Sequence, residues 1–141
     1  MRTLETVVRT AAPPRAPATV LLVDDEPSAR GLFGRILASR GYAVIEACDG
    51  REALVRWEAA HAAGRRVDLL VTDVVMPGVG GRALASQLRL RQPTLPVLYL
   101  SGFADGVVHD GRAPTGFLAK PFTGAALADA LAALREGARP R

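Results

Sequence analysis

The sequence has 141 residues, the length of a single domain. Hydrophobic residue types make up 49% and charged types 23%, which excludes collagen, coiled coils and wholesale disorder. The net charge is +4, but the basic residues are scattered, so we expect no direct nucleic-acid binding. No apolar run approaches the length of a membrane span or a signal peptide, and we therefore expect a cytoplasmic protein without membrane insertion.

The first part of the chain predicts a tail, a strand and a helix. Residues 1–18 are rich in proline and alanine without periodicity, which is typical of a flexible tail or linker. The continuous apolar run Val20–Val23 predicts a strand buried on both faces. A helix then begins at Pro27 and ends before Gly41. Its predicted inward face consists of Ala29, Leu32, Phe33, Ile36 and Leu37.

The middle of the chain repeats this alternation. Ala43–Ile45 predicts a second strand, and Asp49–Glu52 resembles a capping box that begins a second helix. That helix carries Ala53, Leu54 and Trp57 on one face. Cys48, the single cysteine, has no partner for an internal disulfide and is expected to be a small buried residue. Val67–Thr72 predicts a third strand, and Pro77–Gly81 a loop before a helix with Leu84 and Leu88 inward.

The last part of the chain predicts two further strands, Val97–Leu100 and Phe117–Ala119. Between them, residues 103–113 contain two glycines, so any helix there is expected to be short. Thr123 can cap a last helix whose inward residues are Leu127, Leu131 and Leu134. Residues 137–141 are expected to form a disordered tail.

The alternation of apolar strands and helices predicts an α/β domain over residues 19–136. Such strands form a parallel sheet, and right-handed crossovers place helices on both of its faces in a doubly wound arrangement. We expect more residues in helices than in strands. Ligands of such folds bind beyond the carboxyl ends of the strands, so the residues at those ends are the candidates for function.

Charged and polar residues follow four of the five predicted strands. They are Asp24 and Asp25 after the first, Asp73 after the third, Ser101 after the fourth and Lys120, the sole lysine, after the fifth. Each has a structural explanation by itself: a helix cap, a turn residue, a hydroxyl without function or a solvated cation. Together, the clustered carboxylates would repel one another unless a hard divalent cation such as Mg²⁺ compensates their charge.

Four motifs at these strand ends resemble the receiver domains of two-component response regulators. They are Val23-Asp24-Asp25-Glu26, Asp73-Val74-Val75-Met76-Pro77 with Gly81 beyond, Leu100-Ser101-Gly102, and Phe117-Leu118-Ala119-Lys120-Pro121-Phe122. The resemblance covers about residues 19–136. The motif sequences are similar to those of receiver domains from hybrid sensor histidine kinases or single-domain regulators. It implies a flavodoxin-like, five-stranded sheet with strand order 2-1-3-4-5.

The resemblance implies a role for each motif residue. Asp73 would be the phosphoacceptor, a carboxylate nucleophile that forms an acyl phosphate. Asp24, Asp25, Asp73 and the backbone carbonyl of Val75 would hold Mg²⁺ as the cofactor. Lys120 would pair with Asp73 and then with a phosphoryl oxygen.

Ser101 and Phe117 would form the switch. Ser101 would bond a phosphoryl oxygen, and Phe117 would stand at the switch-aromatic position, where it signals by ring placement because phenylalanine cannot hydrogen-bond. The resemblance also places a cis peptide before Pro121. Among X-proline bonds in general, only about 5% are cis.

The expected function is a phospho-switch rather than a turnover enzyme. The expected partners are a sensor histidine kinase, in its own or a parent chain, and a histidine phosphotransfer protein, with the domain a monomer or weak dimer. No DNA-binding sequence follows residue 136, so the expected output is either protein contact or a function of other parts of a parent chain. Two alternatives stay open: a Mg²⁺-dependent hydrolase, disfavoured because no histidine follows a strand, and an inactive interaction module, disfavoured because every motif position is filled.

Overall fold

The computed structural model describes residues 17–101 and 113–138, without the side chains of Ser101 and Ala138. Most of the predicted N-terminal tail, the segment 102–112 and residues 139–141 lie outside this description. The prediction that any helix within residues 103–113 is short therefore stays a prediction. The last helix extends into the segment 137–141 that the sequence predicts as a tail.

Strands and helices alternate along the described residues up to β4, and more of these residues lie in helices than in strands. The elements are β1 (Thr19–Val23), α1 (Pro27–Ser39), β2 (Ala43–Ala47), α2 (Gly50–Ala62), β3 (Leu69–Asp73), α3 (Gly81–Arg91), β4 (Val97–Ser101), β5 (Thr115–Ala119) and α4 (Gly124–Ala138). Each predicted strand and each of the four clearly predicted helices is present. None of the described helices is long and apolar enough to cross a bilayer.

The five strands form one parallel sheet in the order β2-β1-β3-β4-β5. This is the order that the resemblance implies. The order reverses direction at β1, so the carboxyl ends of β1 and β3 lie side by side at the centre of the sheet. Ligands of open parallel sheets bind in the crevice at this reversal.

Two hydrophobic layers cover the sheet, one on each face. Successive residues of β1 point to opposite layers, as the period of a strand requires. Leu21 and Val23 pack in the layer that contains Trp57 of α2 and Leu84 of α3. Val20 and Leu22 pack in the other layer, formed by α1 and α4, with Phe33, Leu37, Leu127 and Leu131. The doubly wound architecture is therefore confirmed.

Side chains cap three of the helices. Glu26 caps α1 and accepts hydrogen bonds from the amides of Ser28 and Ala29. The predicted caps Asp49 and Thr123 are confirmed, each accepting from the amide three residues on. The Glu52 carboxylate accepts from the amide of Cys48, one residue before the cap itself.

Two predictions about burial are wrong. Cys48 is exposed, because it follows the last residue of the edge strand β2 and lies in the turn before α2. Leu32 is 48% exposed, because it lies at the margin of the apolar stripe of α1, and Phe33 and Leu37 fill the space against the sheet. Trp57, predicted as a packing residue, is 4% exposed.

Candidate functional site

The strand ends bring the predicted functional residues to one edge of the sheet. Asp24 directly follows β1, Asp73 is the last residue of β3, and Lys120 directly follows β5. Ser101 ends β4, next to Ala119 of β5 in the register, but its side chain lies outside the description. Parallel strands deliver these residues together because all their carboxyl ends meet at the same edge.

Three carboxylates form a cluster at this edge. Asp24, Asp25 and Asp73 each offer an oxygen, and these oxygens lie within 4.8 Å of one another. Asp24 is fully buried and Asp73 is 6% exposed, whereas Asp25 is exposed. Oxygen donors of this kind are the ligands that Mg²⁺ prefers, so the residues present fit that ion.

The Lys120 side chain reaches this cluster from the end of β5, two strands away from β3 in the sheet. Its Nζ lies 2.8 Å from Oδ1 of Asp73 and 3.5 Å from Oδ2 of Asp24. The side chain is 30% exposed, and its ammonium lies 5.9 Å from the centre of the Phe33 ring. The peptide bond between Lys120 and Pro121 is cis, as the resemblance implies. Lys120 thus offsets part of the negative charge of two buried aspartates.

Burial and charge shift the pKa values of this group. Burial raises the pKa of Asp73 to about 6, and Asp24 contributes in the same direction through a hydrogen bond and its charge. Lys120 opposes this rise. Burial alone would lower the pKa of Lys120, but its hydrogen bond and ion pair with Asp73 raise it above its ordinary value. At neutral pH, Asp73 is therefore an anion and Lys120 a cation.

Asp24 is held through its backbone and its side chain. Its Oδ1 accepts a hydrogen bond from the amide of Glu26 at 2.9 Å, and its own amide donates to Ala47 at 3.2 Å. Its carbonyl accepts from Nη1 of Arg30 at 2.8 Å. Arg30 was not among the site residues predicted from the sequence. The sequence feature that could have identified it is an arginine near the start of a predicted helix, a few residues after Asp24 and Asp25.

A tight loop follows Asp73 and leads into α3. The amide of Val74 donates to Leu100 of β4, and the amide of Gly81 donates back to the carbonyl of Val74. Gly78 adopts a φ of 74°, a left-handed conformation that favours glycine. The Val75 side chain is 81% exposed and does not pack in the core. The resemblance assigns only its backbone carbonyl to the metal.

Phe117 lies in the middle of β5 and is half-buried. In the register it stands beside Tyr99 of β4, which is 8% exposed, and it packs against the layer formed by α2 and α3. The strand that carries Phe117 ends two residues later at Ala119, immediately before Lys120. Phe117 therefore lies three residues before Lys120 in the sequence.

Comparison with known sequences gives a consistent result. The family described as response regulator receiver domain matches residues 20–132. The sensor kinase CckA of Brucella abortus (strain 2308) is 43% identical over 109 residues, which are 75% of this chain and 11% of the relative. The regulatory protein TcrA of Mycobacterium tuberculosis (H37Rv) is 36% identical over 128 residues, which are 86% of this chain and 48% of the relative. The chain thus spans between about a tenth and a half of these curated relatives.

Solved structures share the fold. The chemotaxis protein CheY4 of Vibrio cholerae superposes with a TM-score of 0.72 at 32% identity and covers 84% of this chain and 99% of its own. The receiver domain of the hybrid histidine kinase CckA gives 0.69 at 36%, covering 83% and 98%. The response regulator TrrA of Thermotoga maritima, in complex with Mg(2+)-BeF, gives 0.69 at 26%, also covering 83% and 98%. With a family match over residues 20–132 and these relatives, the chain belongs to the response regulator receiver domains of two-component systems.

Proposed function

We propose that this receiver domain accepts a phosphoryl group on Asp73 from a histidine kinase in a Mg²⁺-dependent reaction. The observation that carries the proposal is the position of Asp73. Its carboxylate ends the central strand β3, lies among the other two aspartates and is paired with Lys120 at 2.8 Å. A carboxylate with an adjacent cation and a metal-binding cluster is suited to accept and stabilise a phosphoryl group.

In the proposed reaction, an oxygen of the Asp73 carboxylate attacks the phosphorus of a phosphohistidine. The new phosphorus–oxygen bond forms as the phosphorus–nitrogen bond breaks, and the electron pair of that bond leaves on the imidazole nitrogen. Lys120, already 2.8 Å from Asp73, pairs with the charge that develops on the phosphoryl oxygens. Its ammonium is a compact point charge, which suits both the carboxylate and the product acyl phosphate.

The carboxylates of Asp24, Asp25 and Asp73 would hold Mg²⁺, together with the backbone carbonyl of Val75. When bound, the ion supplies neutralisation of the phosphoryl charge. Before transfer, Lys120 pairs with both Asp24 and Asp73 and offsets part of the repulsion between them. A second cation would therefore reduce the remaining repulsion among the three carboxylates.

The phosphoacceptor is tested by intact-mass measurement after treatment with acetyl phosphate and Mg²⁺. We expect one labile phosphate in the native chain and none in Asp73→Asn. The matched control is Asp129→Asn, which changes an exposed aspartate on α4 in the same way. Phosphate uptake by Asp73→Asn would overturn the assignment. Many cycles of acetyl phosphate hydrolysis per chain would favour a hydrolase.

The output that we propose is a change in the surface formed by residues 102–119 and the last helix, α4. In this scheme the phosphoryl group draws the Ser101 hydroxyl toward it, and Phe117 turns inward to fill the space. Phe117 is half-buried and packs against the layer formed by α2 and α3, so an inward turn would bury more of the ring. The phosphoryl group must favour the inward state over the outward state, or the populations do not shift.

Hydrogen exchange with and without beryllofluoride, a phosphoryl mimic, tests this switch. We expect exchange to change in β5 and α4 and in residues 102–112, and to stay the same in α2. Exchange that is unchanged in β5 and α4 would show that no switch operates there. The proposed partners, a sensor histidine kinase and a histidine phosphotransfer protein, are tested by phosphotransfer profiling against the kinases of the source organism.

A further inference from the structure

We infer that Arg30 is a positioning residue for the metal-binding aspartates, acting through the peptide bond between Asp24 and Asp25. This inference rests on the proposed function of the acidic cluster. Arg30 is the fourth residue of α1, and its guanidinium reaches back to the residue that follows β1. The Arg30 side chain thereby connects α1 to the backbone that follows β1 and to the edge strand β2.

The first contact is with the backbone of Asp24. Nη1 of Arg30 donates to the Asp24 carbonyl oxygen at 2.8 Å, beside a side chain that is fully buried. The other polar groups of Asp24 already have partners in Glu26, Ala47 and Lys120. Because a peptide unit is planar, fixing this carbonyl also fixes the direction in which the chain enters Asp25. Arg30 thereby orients two of the three carboxylates at once.

The second contact holds the guanidinium in place. Nε of Arg30 lies 3.4 Å from Oε1 of Glu46, whose neighbour in the register is Leu22 of β1. The Arg30 side chain is only 20% exposed. Gly34, one helical turn beyond Arg30, leaves room for the Glu46 carboxylate: a Cβ at Gly34 would lie 2.8 Å from its Oε2. Arg30 thus supplies the hydrogen-bond donor, Glu46 holds its guanidinium, and Gly34 leaves space for the Glu46 carboxylate.

Positioning and simple charge predict opposite effects on cation binding. Arg30 is a cation near the proposed Mg²⁺ ligands, so Coulomb repulsion alone would make its removal strengthen Mg²⁺ binding. Loss of positioning would instead weaken binding, because the aspartates would have to be ordered by the ion itself. Partners that orient metal ligands typically contribute about 10- to 100-fold to metal affinity. The sign of the change in Mg²⁺ affinity therefore separates the two roles.

The test is a Mg²⁺ titration of the full chain, followed by the amide NMR signal of Asp25. Arg30→Met keeps the apolar stem and removes every donor. We expect its Kd for Mg²⁺ to rise about three- to tenfold, below the usual range because Glu26 and Lys120 still hold the Asp24 side chain. Arg30→Lys restores one donor and should recover part of the affinity. The matched control, Arg35→Met, removes an exposed arginine from the same helix and should leave the Kd unchanged or slightly lower.

A folded Arg30→Met protein with native or tighter Mg²⁺ affinity would overturn the inference. Should Arg30→Met not fold, Arg30→Gln serves instead: its amide is polar but too short to reach the carbonyl, and the same rise in Kd is expected. Native or tighter affinity in that variant would equally overturn the inference. The native chain separates this inference from the proposed function. If it takes up Mg²⁺ and phosphate while the Arg30 variants bind Mg²⁺ normally, only the role of Arg30 is refuted.

Discussion

Gly81 lies so close to Asp73 that a Cβ at Gly81 would stand 2.0 Å from the Asp73 carbonyl oxygen. Asp73 is the last residue of β3 and Gly81 the first residue of α3, and the amide of Gly81 also donates to the carbonyl of Val74. The backbone that carries the proposed phosphoacceptor therefore contacts the start of α3 directly, and a side chain at Gly81 would force one of them to shift. The close approach explains a glycine here without any need for an unusual φ.

The Gly81→Ala variant should be destabilised by about 1–3 kcal/mol, since the new methyl group must push the Asp73 carbonyl or α3 aside. Urea unfolding measures the change. Gly31→Ala is the matched control, because Gly31 lies within α1 and a Cβ there would meet only the end of the Arg35 side chain, at 3.5 Å. That control should gain about 0.5–1 kcal/mol. Equal stabilities of Gly81→Ala and the native chain would contradict the packing described here.

Replacing Lys120 by arginine should impair phosphorylation although the charge is kept. Lys120 Nζ fits between Asp73 at 2.8 Å and Asp24 at 3.5 Å, and a planar guanidinium is too broad to make both contacts. We expect the rate of phosphorylation by acetyl phosphate to fall about tenfold or more, the scale of losing one charge contact in the reaction. Native rates in a folded Lys120→Arg protein would show that a point charge is not required.

Without Mg²⁺, Asp73→Asn should be more stable than the native chain at neutral pH. The pKa of Asp73 rises from its ordinary 3.8 to about 6 on folding, mainly through burial. Between about pH 4 and 6, the folded chain keeps a proton that the unfolded chain loses, so native stability falls as the pH rises through this window. Asparagine carries no such proton. We expect a gain of at least about 1 kcal/mol above pH 6.

Unfolding free energies of both proteins, measured from pH 4 to 8 with a chelator present, test this difference. The gain from Asp73→Asn should be small near pH 4, grow toward pH 6 and then remain level. A gain that is constant across the whole range would show that the Asp73 carboxylate does not titrate as described. A loss of stability at pH 7 would show that the ion pair with Lys120 outweighs burial and the repulsion from Asp24.

Mg²⁺ should stabilise the native chain, because an ion that binds only the folded state shifts the equilibrium by mass action. We expect a Kd in the millimolar to sub-millimolar range, since the three aspartates replace few of the waters of the ion. Asp25→Ala should abolish the rise in Tm that Mg²⁺ produces. The exposed Asp129 gives the control, and Asp129→Ala should keep the full rise. A Mg²⁺-induced rise that survives in Asp25→Ala would place the ion elsewhere.

Continuous apolar runs predicted the strands, and apolar residues at helical spacing predicted the helices. These patterns gave most of the fold because each element buries the apolar residues that form its pattern. Val20–Val23 and Leu69–Val71 are buried on both faces and could be recognised from apolar content alone. Cys48 could not be placed correctly, since its exposure depends on β2 being an edge strand, a fact of sheet order. The order itself came from the resemblance and not from any pattern within one strand.

The site was predictable where it coincides with strand ends, and not where it depends on contacts between distant elements. Asp24, Asp73 and Lys120 follow apolar runs and were found by that rule. Arg30 was missed because its partners, a backbone carbonyl and Glu46 on β2, leave no mark in the spacing of residues. The pKa of Asp73 likewise depends on burial and on Asp24, which only the folded chain brings together.

The site of phosphorylation is the central claim, and chemical trapping locates it directly. Borohydride reduces an aspartyl phosphate, which is an acyl phosphate, to homoserine and leaves free carboxylates and phosphoserine unchanged. After treatment with acetyl phosphate and Mg²⁺, reduction and peptide mass spectrometry should find homoserine at position 73 and aspartate at positions 24 and 25. Homoserine at position 24 or 25, or an unmodified Asp73 in a chain that has taken up phosphate, would contradict the account.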